Sequence, residues 1–60
     1  MRTIFVKGKV YETEENYSLF FFFIDLKVIN ADSVKKAIRD KLKEQSIEGK
    51  LWVDDVVVLN

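Results

Sequence analysis

The stretch that decides the fold is Leu19-Phe20-Phe21-Phe22-Phe23-Ile24-Asp25-Leu26-Lys27-Val28. Aromatic and β-branched residues at this density are typical of a β-strand. Successive side chains of a strand point to opposite faces, so the run Leu19–Ile24 puts apolar side chains on both faces of a sheet. The sequence therefore predicts a strand over Tyr17–Val28 whose first half is apolar on both sides.

The segment before this strand predicts its partner in a hairpin. Thr3–Tyr11 alternates as a strand does, and the polar cluster Glu12–Asn16 reads as the connecting loop. A register with Tyr11 opposite Tyr17 collects the apolar side chains on one inner face. Its inner pairs are Ile4 with Ile24, Val6 with Phe22, and Gly8 with Phe20, where the glycine leaves room for the ring. Its outer pairs are Thr3 with Asp25, Phe5 with Phe23, Lys7 with Phe21, and Lys9 with Leu19.

The second half of the chain predicts a helix and further strand structure. N-cap candidates occupy 30–33, and apolar residues recur behind them at helical spacing, which predicts a helix over about 33–46 with a narrow apolar stripe. The helix is expected to cover the inner residues of the second strand: Phe20, Phe22, Ile24, Leu26 and Val28. After the turn at Gly49, Lys50–Val53 and Val56–Leu59 form either one bulged strand or two short strands.

The predicted fold is thus an α+β domain spanning 1–60, of ββαβ or ββαββ order, with the helix on one face of an antiparallel sheet. This order, with Trp52 and Asp54-Asp55 after the helix, resembles the immunoglobulin-binding bacterial domains of the protein G type, in which two hairpins flank one helix. The run Phe20–Phe23 departs from those domains, and no binding residue is carried over from them.

Composition excludes several classes of function. The chain has no Cys and no His, which removes histidine-assisted triads, thiolate nucleophiles and conventional zinc sites. Gly8 and Gly49 are isolated, so there is no glycine-rich phosphate loop. We therefore expect no enzyme, no cofactor, no metal and no small-molecule substrate. The longest apolar run has six residues, too few for a membrane span, and no apolar leader precedes the first strand, so we expect a cytoplasmic protein without a membrane role.

The strongest candidate for a binding site is the outer face of the hairpin. Its members are Phe5, Lys7, Lys9, Tyr11, Leu19, Phe21 and Phe23. Even half-exposed, the last three side chains would present roughly 200 Å² of apolar surface, and covering it would stabilise by about 5 kcal/mol at most, comparable with the whole stability of so small a domain. We therefore expect this face to be covered.

Three covers are open at this point: the chain's own last strand or ends, a protein partner or identical chain, and single-stranded nucleic acid stacked on aromatics beside lysines. Ten basic and ten acidic residues cancel, which weighs against nucleic acid. The second apolar run, Val56–Leu59, indicates a strand buried on both faces or a central strand beneath the helix.

Two charged features are interpreted as solvated surface. The helix exterior carries Lys35, Lys36, Arg39 and Lys43, and the alternative is that these residues dock to an acidic surface or to phosphates. The acidic residues Glu12, Glu14, Glu15, Asp54 and Asp55 lack the spacing of a calcium loop. Our leading hypothesis is a protein-binding module, a small inhibitor or adaptor of the kind viruses and phages use, that binds a protein partner or itself as a homodimer. The alternative is a platform for single-stranded nucleic acid.

Overall fold

A computed structural model of the chain describes all residues from Met1 to Asn60 and has the order ββαβ. The elements are β1 (Arg2–Tyr11), β2 (Tyr17–Leu26), α1 (Ala31–Glu44) and β3 (Lys50–Val58). The three strands form one antiparallel sheet with the spatial order β2-β1-β3, so β1 is central and both other strands are edges. The predicted α+β class is confirmed. The second hairpin of the protein G type is absent, because a single strand follows the helix.

The predicted hairpin register is confirmed along its whole length. Tyr11 pairs with Tyr17, Gly8 with Phe20, and Ile4 with Ile24, without a shift anywhere between the two strands. A Cβ atom on Gly8 would lie 2.8 Å from Phe20 Cζ and in collision with the carbonyl oxygen of Trp52. Glycine is therefore required where a core ring and the neighbouring strand both approach the backbone of β1.

The C-terminal segment is one bulged strand, the first of the two predicted alternatives. Gly8 pairs with Val53 and Lys7 with Asp55, which leaves Asp54 as the extra residue. The bulge shifts the side-chain alternation by one. The inner face therefore carries Leu51 and Val53 before the bulge, and Val56 and Val58 after it. The expectation that Val56–Leu59 is a central or doubly buried strand is wrong, since this edge strand leaves all four residues at least 40% exposed.

The core lies between the sheet and one side of α1. It consists of eight buried side chains: Ile4, Val6, Val10, Phe20, Ile24, Val34, Ile38 and Leu42. Phe22 and Leu26 pack at its margin. Val28, predicted to belong to the core, is 61% exposed because β2 ends at Leu26 and the chain turns there towards the helix. That prediction is wrong.

Both ends of α1 have defined caps. Asn30 accepts a hydrogen bond from the Ser33 backbone N–H (2.8 Å), and the Ser33 hydroxyl accepts one from the Asn30 N–H (3.0 Å), which makes a capping box. At the other end the Ile47 N–H donates to the Leu42 carbonyl and the Ser46 N–H to the Lys43 carbonyl. This Schellman arrangement, with Ser46 at φ 58°, ends the helix two residues earlier than predicted.

Candidate functional site

The outer face of the sheet, on the side opposite α1, carries a row of apolar side chains from β2. Tyr17, Leu19, Phe21 and Phe23 are 53%, 72%, 69% and 65% exposed. They alternate along the strand with the inner residues, so they stand on one face about 7 Å apart. The sequence predicted this alternation, and the structure leaves the whole row open to solvent.

Phe5 on the central strand joins the row into an aromatic cluster. Its ring centroid lies 5.2 Å from that of Phe23 and 6.5 Å from that of Phe21, with tilted ring planes in both pairs. Such contacts contribute about 0.5–1.5 kcal/mol each beyond burial, so they favour this arrangement of the three rings. The three rings form an exposed apolar surface at one end of the sheet.

A second group lies at the other end of the same face. The rings of Tyr11 and Tyr17 are 5.5 Å apart, and Lys9 Nζ lies 5.8 Å from the Tyr17 centroid. Trp52, 57% exposed, stands beside Lys9 on β3. A shallow open depression of about 510 Å³ is lined here by Lys9, Tyr11, Thr13, Glu14, Lys50 and Trp52.

Charged side chains are interleaved with these rings. Lys7 lies between Phe21 and Asp55, Lys9 between Leu19 and Trp52, and Lys50 opposite Tyr11. Asp25, at the far end of the face, is hydrogen-bonded by the Thr3 hydroxyl at 2.5 Å. Lys7 and Lys9 therefore make the middle of the face positive, and Lys50 does the same at the Tyr11 end. The carboxylates of Asp25 and Asp55 lie at its margins.

The structure places every residue of the sequence-predicted site on this one face. Phe5, Lys7, Lys9, Tyr11, Leu19, Phe21 and Phe23 project from the side of the sheet away from the helix. Their role as partner-binding residues stays a prediction. Sequence reasoning missed Tyr17, Lys50, Trp52 and Val57, which complete the face. Tyr17 follows from the register already inferred, whereas the β3 residues depend on which strand β3 joins.

No segment of the chain covers this surface. β3 adds to the free side of β1 instead of crossing the face. The chain ends meet at the sheet end, where the Asn60 carbonyl accepts from Arg2 Nε (3.0 Å) and its side chain accepts from the Thr3 N–H (2.6 Å). The intramolecular cover considered from the sequence is therefore wrong.

The two charged features singled out from the sequence are exposed, and Glu14 and Asp55 of the acidic one border the outer face. Lys35, Lys36, Arg39 and Lys43 are all exposed on α1. No group of three or more acidic side chains is arranged to hold a metal ion. The single helix is neither long nor apolar enough to cross a membrane.

Comparison of this chain with protein-family models, with curated proteins and with solved structures gives no match.

Proposed function

We propose that this chain is a non-enzymatic protein-interaction module, an inhibitor or adaptor acting in the cytoplasm, that binds another protein through the outer face of its sheet. The observation that carries the proposal is the exposure of the β2 row: Phe21 and Phe23 are 69% and 65% exposed although both rings contact Phe5. Neighbouring exposed aromatic side chains on one face are typical of anchors at protein interfaces.

The area of the surface supports this proposal. The five most exposed large side chains of the outer face present roughly 600 Å² together, which is at the upper end for the largest apolar patch of a monomer. A standard interface buries about 800 Å² on each partner. The outer face with its central lysines and its carboxylates is of that size, in a molecule 35 by 19 Å across.

The charge pattern indicates the kind of partner. Lys7 and Lys9 lie on the central strand, so stacking two copies face to face about a two-fold axis through the middle would bring like charges together. A different protein that sets acidic groups against the central lysines and apolar side chains against the β2 row fits this face better. We therefore favour a heterologous partner for the outer face over a face-to-face homodimer.

The test compares aspartate variants of the row with a matched control. The native chain is used to capture a partner, and the purified pair is then titrated by calorimetry. Phe21→Asp and Phe23→Asp should each weaken binding at least about 100-fold, because each buries a carboxylate in the contact. Val28→Asp, at an equally exposed residue outside the face, should change affinity less than threefold.

Two controls make the result interpretable. Far-ultraviolet dichroism of both aspartate variants should remain native, and Phe21→Thr and Phe23→Thr provide variants with high strand propensity if it does not. Unfolding of all four would show that the two rings stabilise the monomer, and equal weakening by Val28→Asp would place the contact elsewhere. Either outcome contradicts the proposal.

One observation favours a second candidate, the binding of single-stranded nucleic acid. Trp52 and Lys50 extend the outer face beside Lys9 and Tyr11, which increases the number of rings on which bases stack and of cations that meet phosphates. Filter binding of mixed oligonucleotides at low and high salt distinguishes the candidates. Salt-dependent binding that Trp52→Ala weakens supports nucleic acid, and no binding at low salt removes it.

A further inference from the structure

The edge of the sheet at β2 is a feature distinct from the outer face. The Leu59 N–H donates to the Thr3 carbonyl, so the backbone groups of Thr3 and of alternate residues along β1 point to β3. The even-numbered residues of β1 therefore bond to their even-numbered partners on β2. It follows that the N–H and C=O groups of Leu19, Phe21 and Phe23 point away from the sheet.

Nothing in the chain pairs with these groups. β2 is a terminal strand of the sheet, and the turn, loop and side-chain hydrogen bonds go to other parts of the backbone. Strand edges normally carry a charge, a proline or a bulge that prevents pairing with another chain. From Tyr17 to Ile24, β2 has none of these and keeps an uninterrupted register with β1.

The opposite edge of the sheet, at β3, has the features that hinder pairing with another chain. β3 has a bulge at Asp54, and the residues around it include Lys50 and Asp55. Its two stretches without a charge, Leu51–Val53 and Val56–Val58, have three residues each. The contrast identifies β2 as the longer and flatter template for an added strand.

We propose that β2 pairs antiparallel with β2 of a second copy, about a two-fold axis at Phe21, to form a continuous six-stranded sheet. The axis is perpendicular to the sheet, so both outer faces lie on one side. About ten backbone hydrogen bonds connect the two strands in this arrangement. Phe21 lies opposite Phe21 of the second copy, and Leu19 lies opposite Phe23 of the second copy.

Side-chain chemistry selects the second copy and this register. Asp25, the single charge on β2, comes opposite Tyr17 of the second copy, whose hydroxyl is a donor for the carboxylate. A shift of two residues would set Asp25 against Leu19. Lys7 and Lys9 of the two copies stay apart because both β2 strands lie between them, so the repulsion of a face-to-face pair is avoided.

This interface is independent of the outer-face target. In the six-stranded sheet the rows of Tyr17, Leu19, Phe21 and Phe23 from both copies lie side by side and remain on an open face. Edge pairing therefore doubles the proposed binding surface without occupying it.

Backbone methylation tests the edge without altering any side chain. The 60-residue chain is prepared by total synthesis with N-methyl-Phe21, which removes an outward donor and leaves the bonds to β1 intact. The control carries N-methyl-Val58, whose N–H points outward from the β3 edge by the same alternation. Mass in solution is measured by light scattering over a dilution series.

The native chain and the Val58 control should have twice the 7.1 kDa chain mass, and N-methyl-Phe21 should dimerise about 30-fold more weakly, since the two-fold axis removes two hydrogen bonds at once. A native monomer at every concentration overturns the proposal, as does an unchanged dimer of N-methyl-Phe21 or a monomeric Val58 control.

Amide hydrogen exchange gives a second readout and checks folding. The N–H groups of Leu19 and Phe23 should be protected in the concentrated native protein and exchange freely in N-methyl-Phe21. The N–H groups of Phe20 and Phe22, bonded to β1, should be protected in both. Free exchange of Leu19 and Phe23 in the native protein contradicts the paired edge, whatever the outer face binds.

Discussion

Phe20 and Phe21 are neighbours with identical side chains, yet Phe20 is 6% exposed and Phe21 69%. Phe20 points to the face covered by α1 and packs against Gly8, where the lack of a side chain makes room for its ring. Phe21 points to the bare face and contacts Phe5. The difference shows that hydrophobicity alone does not place a residue in the core. The single helix covers one face, and the second face remains available for binding.

The comparison between the two faces is best tested on these two phenylalanines. Phe20→Ala should lower the free energy of unfolding by about 4 kcal/mol, because it leaves a cavity in a core of only eight side chains. Phe21→Ala should lower it by about 1 kcal/mol or less, the value of an exposed cross-strand pair. Urea denaturation of both variants at low concentration measures the difference. Equal losses would mean that the outer rings stabilise the monomer as a second core.

A smaller loss of stability is expected on substitution of Gly8, whose lack of a side chain lets the Phe20 ring and β3 approach β1. Gly8→Ala would force a methyl group against the Trp52 carbonyl and the Phe20 ring. We expect a loss of about 2–3 kcal/mol, since the obstructing carbonyl belongs to the backbone of β3. The variant should also accelerate exchange of the Leu59 N–H, which bonds to Thr3. Lys7→Ala, a neighbouring change on the outer face, should leave stability within about 0.5 kcal/mol, and a comparable loss there would contradict the assignment.

The smallest expected effect concerns the helix that covers the inner face. Ser46 holds φ at 58°, a conformation that glycine adopts without strain, so Ser46→Gly should raise stability by about 0.5–1 kcal/mol. Gln45→Gly is the matched control, because Gln45 has φ −97° and gains nothing from glycine. Thermal unfolding of the two variants should shift in opposite directions. A shift in the same direction would mean that the left-handed residue does not limit helix stability.

The hairpin was predictable in detail because its information is local. Side chains alternate between the two faces along Leu19–Ile24, and the loop at Glu12–Asn16 is short. Together these features determine which residues of the two strands oppose each other, and so the register. The helix was predicted within two residues, and its capping box at Asn30 and Ser33 lies within the segment that the sequence marked. Its end depended on a left-handed serine, for which residue type gives no signal.

The position of β3 was not predictable from the sequence. Val56–Leu59 lacks alternation, and a buried central strand and a bulged edge strand share that pattern. The bulge at Asp54 and the pairing with β1 decide between them, and they also bring Trp52 and Val57 to the outer face. Three of the eleven residues of the candidate surface, Lys50, Trp52 and Val57, therefore lie on a strand that alternation along the hairpin does not reach.

The sequence by itself determined that β2 is apolar on both faces, because strand periodicity assigns side chains to faces without reference to the rest of the chain. Only the tertiary structure decided which face α1 covers and that the other face stays uncovered. One 14-residue helix spans one side of a three-stranded sheet, and β3 extends that sheet sideways. The exposed row and open edge of β2 follow from that arrangement, because neither α1 nor β3 lies over them.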